Sequence, residues 1–198
     1  MAHVVVLGAG IGGMTAAYDL RGKLNRQDHT VTVISDKPAF EFTPSNPWIA
    51  VGWRQRTDTS INVEKYLSRK NIQFIASKAT KIDADNNTIT LENGQSVDYD
   101  YLVITTGPKL AFDEVEGAGP DAGFSQSVCT LGHAETSFRD YQRLLEEPGP
   151  VVIGAVQMAS CFGPAYEYAF ILDCDLRKRK LRHKVPITFV TSEPYIGH

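Results

Sequence analysis

Sulfur is scarce in this chain, and little of its charge is unbalanced. Three cysteines in 198 residues are too few for a disulfide scaffold, so each needs its own explanation. A net charge of −3 gives no general reason to bind nucleic acid, and no nucleic-acid partner is expected. No apolar run approaches the roughly 20 residues of a membrane span. The N-terminus, MAHVVVLGAGIGG, has no basic stretch ahead of its apolar run, so no signal peptide is read there and a cytoplasmic fold is the default. Low-complexity tracts and short-period repeats are missing. What is present is a 42% apolar composition, which suits a buried core and argues against disorder.

Apolar runs and turn residues organise the chain. Residues 3–7 read as a buried strand, residues 14–24 as a helix and residues 30–34 as a second buried strand, together a βαβ unit. Residues 41–53, rich in proline, asparagine and tryptophan, read as an ordered loop. A short helix over 63–70 and a parallel strand over 72–76 follow. Residues 79–83, 88–91 and 97–105 read as a three-stranded meander, with Asn93-Gly94 turning between the last two. Residues 108–124 read as a linker, and 131–147 as a helix stopped by Pro148-Gly149-Pro150. A second strand–turn–helix then runs from 151 to about 180, with a further strand at 187–191. The fold class is α/β: a Rossmann-like βαβ with a β-meander over residues 1–110, then a linker and the start of a second, degenerate Rossmann-like unit over 111–198. Two strands would leave that second sheet uncovered, so the chain is expected to be the N-terminal part of a longer protein.

Gly8, Gly10 and Gly13 match G-x-G-x-x-G directly after a strand and at the start of a helix, with Gly12 inside the same turn. The first glycine permits the tight turn, the second lets the backbone approach a pyrophosphate, and the third allows close helix–strand packing. The helix N-terminus adds amide donors and the positive end of a dipole. The acidic ribose-binding residue expected about 20 residues on is atypical here: Ser35 holds its place and Asp36 comes one later. Asp100-Tyr101-Leu102-Val103-Ile104-Thr105-Thr106-Gly107 is similar to the strand that ends in a Thr-Thr-Gly turn beside the cofactor of two-dinucleotide flavoproteins. The combination makes FAD the first expectation and NAD the second.

The second unit departs from this pattern. Aligned on Gly8 and Gly154, Gly10 corresponds to Val156 and Gly13 to Ala159. The branched Val156 side chain stands where a pyrophosphate would approach, so tight NAD(P) binding is not expected and the electrons must come from another donor. The turn is longer, with Gly163-Pro164 as the helix start and Cys161 just ahead of it. A helix N-terminus favours a reactive thiolate; the competing reading is a small buried hydrophobe. For Cys129, before the 131–147 helix, the buried reading leads. Cys174, mid-helix and roughly 20 Å from Cys161 along a regular helix, is too far for a disulfide and is taken as structural. The basic run Arg177-Lys178-Arg179-Lys180 with Arg182, His183 and Lys184 suits a helix C-terminus, with anionic lipid as the lesser alternative.

On residues 1–10, Pro44-Ser45-Asn46-Pro47-Trp48, Thr106-Gly107-Pro108-Lys109-Leu110, Ser160-Cys161-Phe162-Gly163-Pro164-Ala165-Tyr166-Glu167 and residues 192–198, the chain resembles the sulfide:quinone oxidoreductases of the bacterial monotopic membrane type. The resemblance implies a flavoenzyme that oxidises sulfide to polysulfide and passes electrons through FAD to a quinone. Cys161 is similar to a cysteine that pairs, through a disulfide or polysulfide bridge, with one beside the flavin. Cys129 is similar to a third cysteine, associated with sulfide access or product release. His133 and His198 resemble histidines that handle protons or shape the site, against a plain surface or capping role. Gly8, Gly10, Gly12, Gly13, Ser35, Asp36, Pro44, Lys78, Ala79 and Gly107 carry over as FAD contacts. The flavin-proximal cysteine and the quinone site have no match in these residues. Peripheral association with the prokaryotic cell membrane, through regions outside this chain, is also implied, and the oligomeric state is left open. Other readings are the flavoprotein subunit of flavocytochrome c sulfide dehydrogenase and a flavin-binding thiol-switch module without turnover. A type II NADH dehydrogenase is argued against by Val156.

Overall fold

A computed structural model of the chain describes residues 1–121 and 123–197. In chain order its main elements are β1 (Ala2–Leu7), α1 (Ile11–Lys23), β2 (His29–Ser35), β3 (Ala39–Glu41), α2 (Asn46–Ala50), α3 (Arg56–Thr59), β4 (Ser60–Asn62), α4 (Glu64–Ser68), β5 (Gln73–Ala76), β6 (Ala79–Asp83), β7 (Thr88–Leu91), β8 (Ser96–Asp98), β9 (Tyr101–Ile104), α5 (Leu131–Glu146), β10 (Val151–Ala155), α6 (Gly163–Lys178) and β11 (Ile187–Thr191). They form two compact units. The first is Met1–Glu41 with Ser60–Leu110; the second is Phe42–Thr59 with Ala111–His198.

The first unit is built on a four-stranded sheet of order β5-β2-β1-β9, in which every pairing is parallel. Successive side chains of a strand point to opposite faces, and the sequence supplies apolar residues for both. Val6, Val31 and Val33 pack with Ala17 of α1 and Leu67 of α4. Val5, Leu7 and Ile34 pack on the other face with Ile89, Leu91 and Val97 of the meander. Gly13, Ala17 and Arg21, spaced by one turn, are the buried positions of α1. The Arg21 guanidinium donates to the carbonyls of His29 and Leu24, at 3.0 and 2.9 Å, and so closes the C-terminal end of the helix.

The meander is antiparallel, of order β6-β7-β8, and its hairpin turns at Gly94, φ +84°. Residues 97–105, read from sequence as one strand, are two. β8 completes the meander, while β9 leaves it and pairs in parallel with β1. Asp100 sits at the break. Its amide donates to the His3 carbonyl and its carboxylate accepts the His3 amide at 2.6 Å, which seats β9 on β1.

In the second unit β10 and β11 pair in parallel, with α6 packed on them. Residues 41–53, expected as a loop, instead carry a 3-10 turn and α2. Val51, Trp48 and Trp53 join Tyr141 of α5 and Ile171, Leu172 and Leu176 of α6 in one core. At its centre the buried Asp175 accepts from Trp53 Nε1 at 2.7 Å, from Arg179 Nε at 2.6 Å and from the Tyr141 hydroxyl. Burial pushes the Asp175 carboxyl up, but these hydrogen bonds more than offset it and hold it below the usual carboxylate range. The Tyr141 phenol is raised by burial and by the same carboxylate.

Candidate functional site

In the first unit the C-terminal ends of β5, β2, β1 and β9 lie along one edge of the parallel sheet, where doubly wound folds bind ligands. The glycine turn occupies the middle of that edge. Gly8 has φ +110°, a conformation costly for any residue with a Cβ, and its amide donates to the Ile34 carbonyl at 2.7 Å. A Cβ on Gly13 would stand 1.9 Å from the Gly8 carbonyl oxygen, so only glycine lets α1 approach the turn. Gly10 differs: a Cβ there would meet nothing within 4 Å. Gly10 is the N-cap of α1 and offers no side-chain cap, so the first-turn amides of Ile11, Gly12 and Gly13 are left for another acceptor. Open space beside uncapped amides is what a pyrophosphate needs.

The other expected contacts of this unit lie on the same edge. Ser35 ends β2, next along from the carbonyl that holds Gly8, and its hydroxyl accepts the Lys37 amide at 3.4 Å; Asp36 beside it is exposed. Ala76 of β5 pairs with Ser35, and the chain then passes through Lys78 into Ala79. The Lys78 side chain is exposed, while its carbonyl accepts the Glu92 amide at 2.8 Å. Gly107, three residues past β9, has φ +75° and open space at its Cβ position. One residue was missed as a site residue. Thr105 Oγ1 donates to the Leu7 carbonyl at 2.9 Å, and the Thr105 carbonyl lies where a Gly8 Cβ would be. The signal was present in the Thr105-Thr106-Gly107 stretch, but its hydroxyl partner is nearly a hundred residues away.

Pro44, Cys129, His133 and Cys161 belong to the second unit, and His198 lies outside the described residues. Pro44 is exposed in the 3-10 turn Thr43–Ser45. Cys129 and Cys161 are both exposed free thiols, so the buried-hydrophobe alternative fails for each. Cys129 precedes Thr130, the N-cap of α5, whose side chain accepts the His133 amide at 3.1 Å. Its own amide donates to Ser127 Oγ at 3.0 Å. The His133 ring tilts against Phe112 with centroids 5.7 Å apart, and its Nδ1 is buried with no hydrogen-bond partner among the described residues. Cys161 sits two residues before α6, which has Pro164 in its first turn and no side-chain cap. Cys174, taken as structural, is exposed on α6.

The second turn is not a worn copy of the first. Gly154 lies within β10, and a Cβ on it would stand 2.0 Å from the Val190 carbonyl oxygen. Its glycine is demanded by the neighbouring strand, whereas the left-handed position of the turn falls on Met158, φ +66°. Val156 is half exposed just beyond the strand. Beyond β11, Glu193 accepts from the Tyr166 hydroxyl and from Thr191 Oγ1, and Tyr166 stacks on Phe189 at 4.6 Å. These contacts tie the start of α6 to the segment after β11. The Glu193 carboxylate raises the Tyr166 phenol above its usual value.

A parallel sheet with a complete dinucleotide turn, followed by a second strand–turn–helix, defines a two-dinucleotide flavoprotein. The sequence matches the pyridine nucleotide-disulphide oxidoreductase family over residues 2–174, and the chain belongs to that family, whose members are FAD-binding flavoproteins. Within it the chain is 50% identical over 196 residues to the sulfide-quinone reductase of Aquifex aeolicus (strain VF5), covering 99% of this chain and 44% of that protein. The mitochondrial sulfide:quinone oxidoreductase of Dictyostelium discoideum is 28% identical over 191 residues, covering 94% of this chain and 41% of that protein. The crystal structure of the sulfide:quinone oxidoreductase from Aquifex aeolicus superposes with a TM-score of 0.92 at 50% identity, over 100% of this chain and 45% of that one. The chain thus spans less than half the length of each of these relatives.

Proposed function

We propose that this chain supplies the FAD-binding unit and two redox cysteines of a sulfide:quinone oxidoreductase. In this reading residues 1–110, less the Phe42–Thr59 segment that packs in the second unit, are the flavin domain, and residues 111–198 begin the domain that carries the electron donor's site. The observation that carries it is the contrast between the two turns. The first keeps the glycines and the open, uncapped helix start of a dinucleotide site. The second has Val156 and Ala159 where the later glycines would stand, and a longer turn that presents the exposed Cys161 before its helix. Relatives that bear the sulfide-quinone reductase name favour this reading over the flavocytochrome subunit.

FAD, when bound, accepts two electrons from sulfur and returns them to a quinone. The chain's own residues prepare that exchange. The amides of the α1 first turn would take the pyrophosphate, Ser35 and Asp36 would hold ribose hydroxyls, the backbone at Lys78 and Ala79 would border the cofactor, and Gly107 would let the backbone come close. Pro44 is placed as a further contact. Cys161 forms a sulfur bridge with a cysteine outside these 198 residues. Hydrosulfide attacks the bridge: one sulfur–sulfur bond forms, one breaks, and a thiolate leaves. Cys129, exposed on the approach to α5, passes sulfide in or polysulfide out. His133 and His198 are placed as proton acceptors, His133 through its unpartnered Nδ1. Among the described residues no helix is long and apolar enough to cross a membrane. Contact with the membrane is proposed as peripheral, through regions outside this chain.

The test uses full-length flavoprotein under anaerobic conditions. Sulfide bleaches the flavin absorbance and a short-chain quinone restores it. A Cys161→Ser variant keeps its FAD but loses sulfide reduction by on the order of a hundredfold or more, as expected when a nucleophile is removed. Full sulfide turnover in that variant would remove Cys161 from the mechanism.

A further inference from the structure

Six lysines and arginines lie between positions 177 and 184, and the fold sorts them into two groups. Arg179 is held by Asp175, and the Lys178 ammonium sits 4.3 Å over the Trp53 ring; both serve the core beneath α6. The remainder face outward. Arg177, Lys180, Arg182 and His183 line an open cleft of about 770 Å³ at the end of α6 opposite Cys161.

The cleft is pre-arranged. Asp173 accepts Arg177 Nε on one oxygen at 2.6 Å and Arg182 Nε on the other at 2.5 Å. Arg182 Nη1 also donates to the Val185 carbonyl at 2.7 Å. Each guanidinium is therefore gripped through Nε. Both Nη groups of Arg177, Nη2 of Arg182 and the Lys180 ammonium make no hydrogen bond among the described residues. Three cations against one carboxylate leave the cleft net positive. The negative end of the α6 dipole opposes an anion here, but it is blunted, because the amides of Arg179, Lys180 and Leu181 already occupy the carbonyls of Asp175, Arg177 and Leu176. Paired guanidinium edges beside an ammonium match phosphate oxygens.

We propose that this cleft docks the phosphate headgroups of an anionic bilayer, an inference that rests on the membrane-surface part of the proposed function. The cleft is too open to enclose a small free anion. Phe170, Cys174 and Arg177 follow one another at four- and three-residue spacing along one face of α6, and Phe170 is 73% exposed. An exposed aromatic side chain a turn or two from a cation cluster is the pattern of an interfacial helix.

The experiment is vesicle co-sedimentation of the full-length holoenzyme, with phosphatidylcholine alone and with phosphatidylcholine mixed with phosphatidylglycerol. The double variant Arg177→Gln, Lys180→Gln leaves the Asp175 network untouched. It binds the anionic vesicles about 25-fold more weakly than the parent, the loss expected for two surface cations, and the neutral vesicles equally. High salt erases the difference. A Phe170→Ser variant, with every cation in place, binds both compositions more weakly than the parent. Undiminished binding of the double variant to anionic vesicles overturns the proposal. So does protection of the cleft by inorganic phosphate with vesicle binding unchanged, which would assign a soluble anion instead. If the parent binds neither vesicle while sulfide still bleaches its flavin, the membrane reading itself fails and the oxidoreductase reading stands.

Discussion

A methyl group added at position 13 and one added at position 10 meet opposite surroundings. At Gly13 it would overlap the Gly8 carbonyl oxygen at 1.9 Å; at Gly10 it would enter open space. Gly13→Ala must therefore push α1 off the turn, and its expected cost is about 3 kcal/mol, toward the upper end for overpacking. Gly10→Ala costs at most about 1 kcal/mol through the poorer N-cap, yet it places a Cβ where a pyrophosphate would lie. Thermal melts of the apoprotein should separate the two, with Gly13→Ala melting early and Gly10→Ala near the parent. Flavin stoichiometry should fall in both. A Gly10→Ala protein that binds FAD as tightly as the parent would show that the open space serves another purpose. Thr105→Val removes the hydroxyl bond to Leu7 and is expected to cost about 1 kcal/mol, read in the same melts. Gly8 and Gly13 were legible because each answers to a local geometric demand, and Gly10 because it completes their spacing. Thr105 was not, because its partners, Leu7 and Gly8, are distant in sequence.

Among the elements, α5 and α6 are joined through Asp175, which binds Tyr141 on α5, Arg179 on its own helix and Trp53, 122 residues away. Asp175→Ala strands a buried phenol and an indole N–H. It is expected to lower the stability of the second unit by about 3 kcal/mol, the low end for a broken buried ionic network because Arg179 is half exposed. The pH dependence has a defined sign. The folded carboxyl lies below its unfolded value, so the stabilisation is complete above the unfolded range, near pH 4, and is lost as pH falls through the folded value. Denaturant melts from neutral to acid pH should show the parent losing its advantage over the variant only below about pH 4; an equal gap at every pH would place the stabilisation outside this carboxyl. None of this network was legible, since an aspartate within a helix and a tryptophan in a loop signal nothing to one another. The same limit explains residues 97–105. The apolar pattern marks strand from end to end, but only the pairing of Asp100 with His3 divides it between two sheets. The strands and helices themselves were legible from local periodicity, which is why β1, β2, α1, α5 and β10 lie within a few residues of expectation.

At the scale of the whole molecule, the chain uses one strand–turn–helix plan twice and gives the copies different turns. Sequence alignment located the difference at Val156, and the structure shows that it extends further. Gly154 has no room for a Cβ because of Val190, the left-handed turn residue is Met158, and α6 begins only at Gly163. A nicotinamide dinucleotide site requires the second glycine and a short turn into the helix together. Restoring one glycine therefore should not restore the site. In full-length flavoprotein under anaerobic conditions, the Val156→Gly variant is expected to remain unbleached by NADH while sulfide still reduces it, with a rate that stays within about tenfold of the parent, since residue 156 stands five positions from Cys161 and holds no part of its chemistry. Stopped-flow absorbance with each donor in turn measures both quantities. If Val156→Gly accepted electrons from NADH at a rate comparable to sulfide, the valine alone would be the barrier, and the longer turn that carries Cys161 would have no part in choosing the donor.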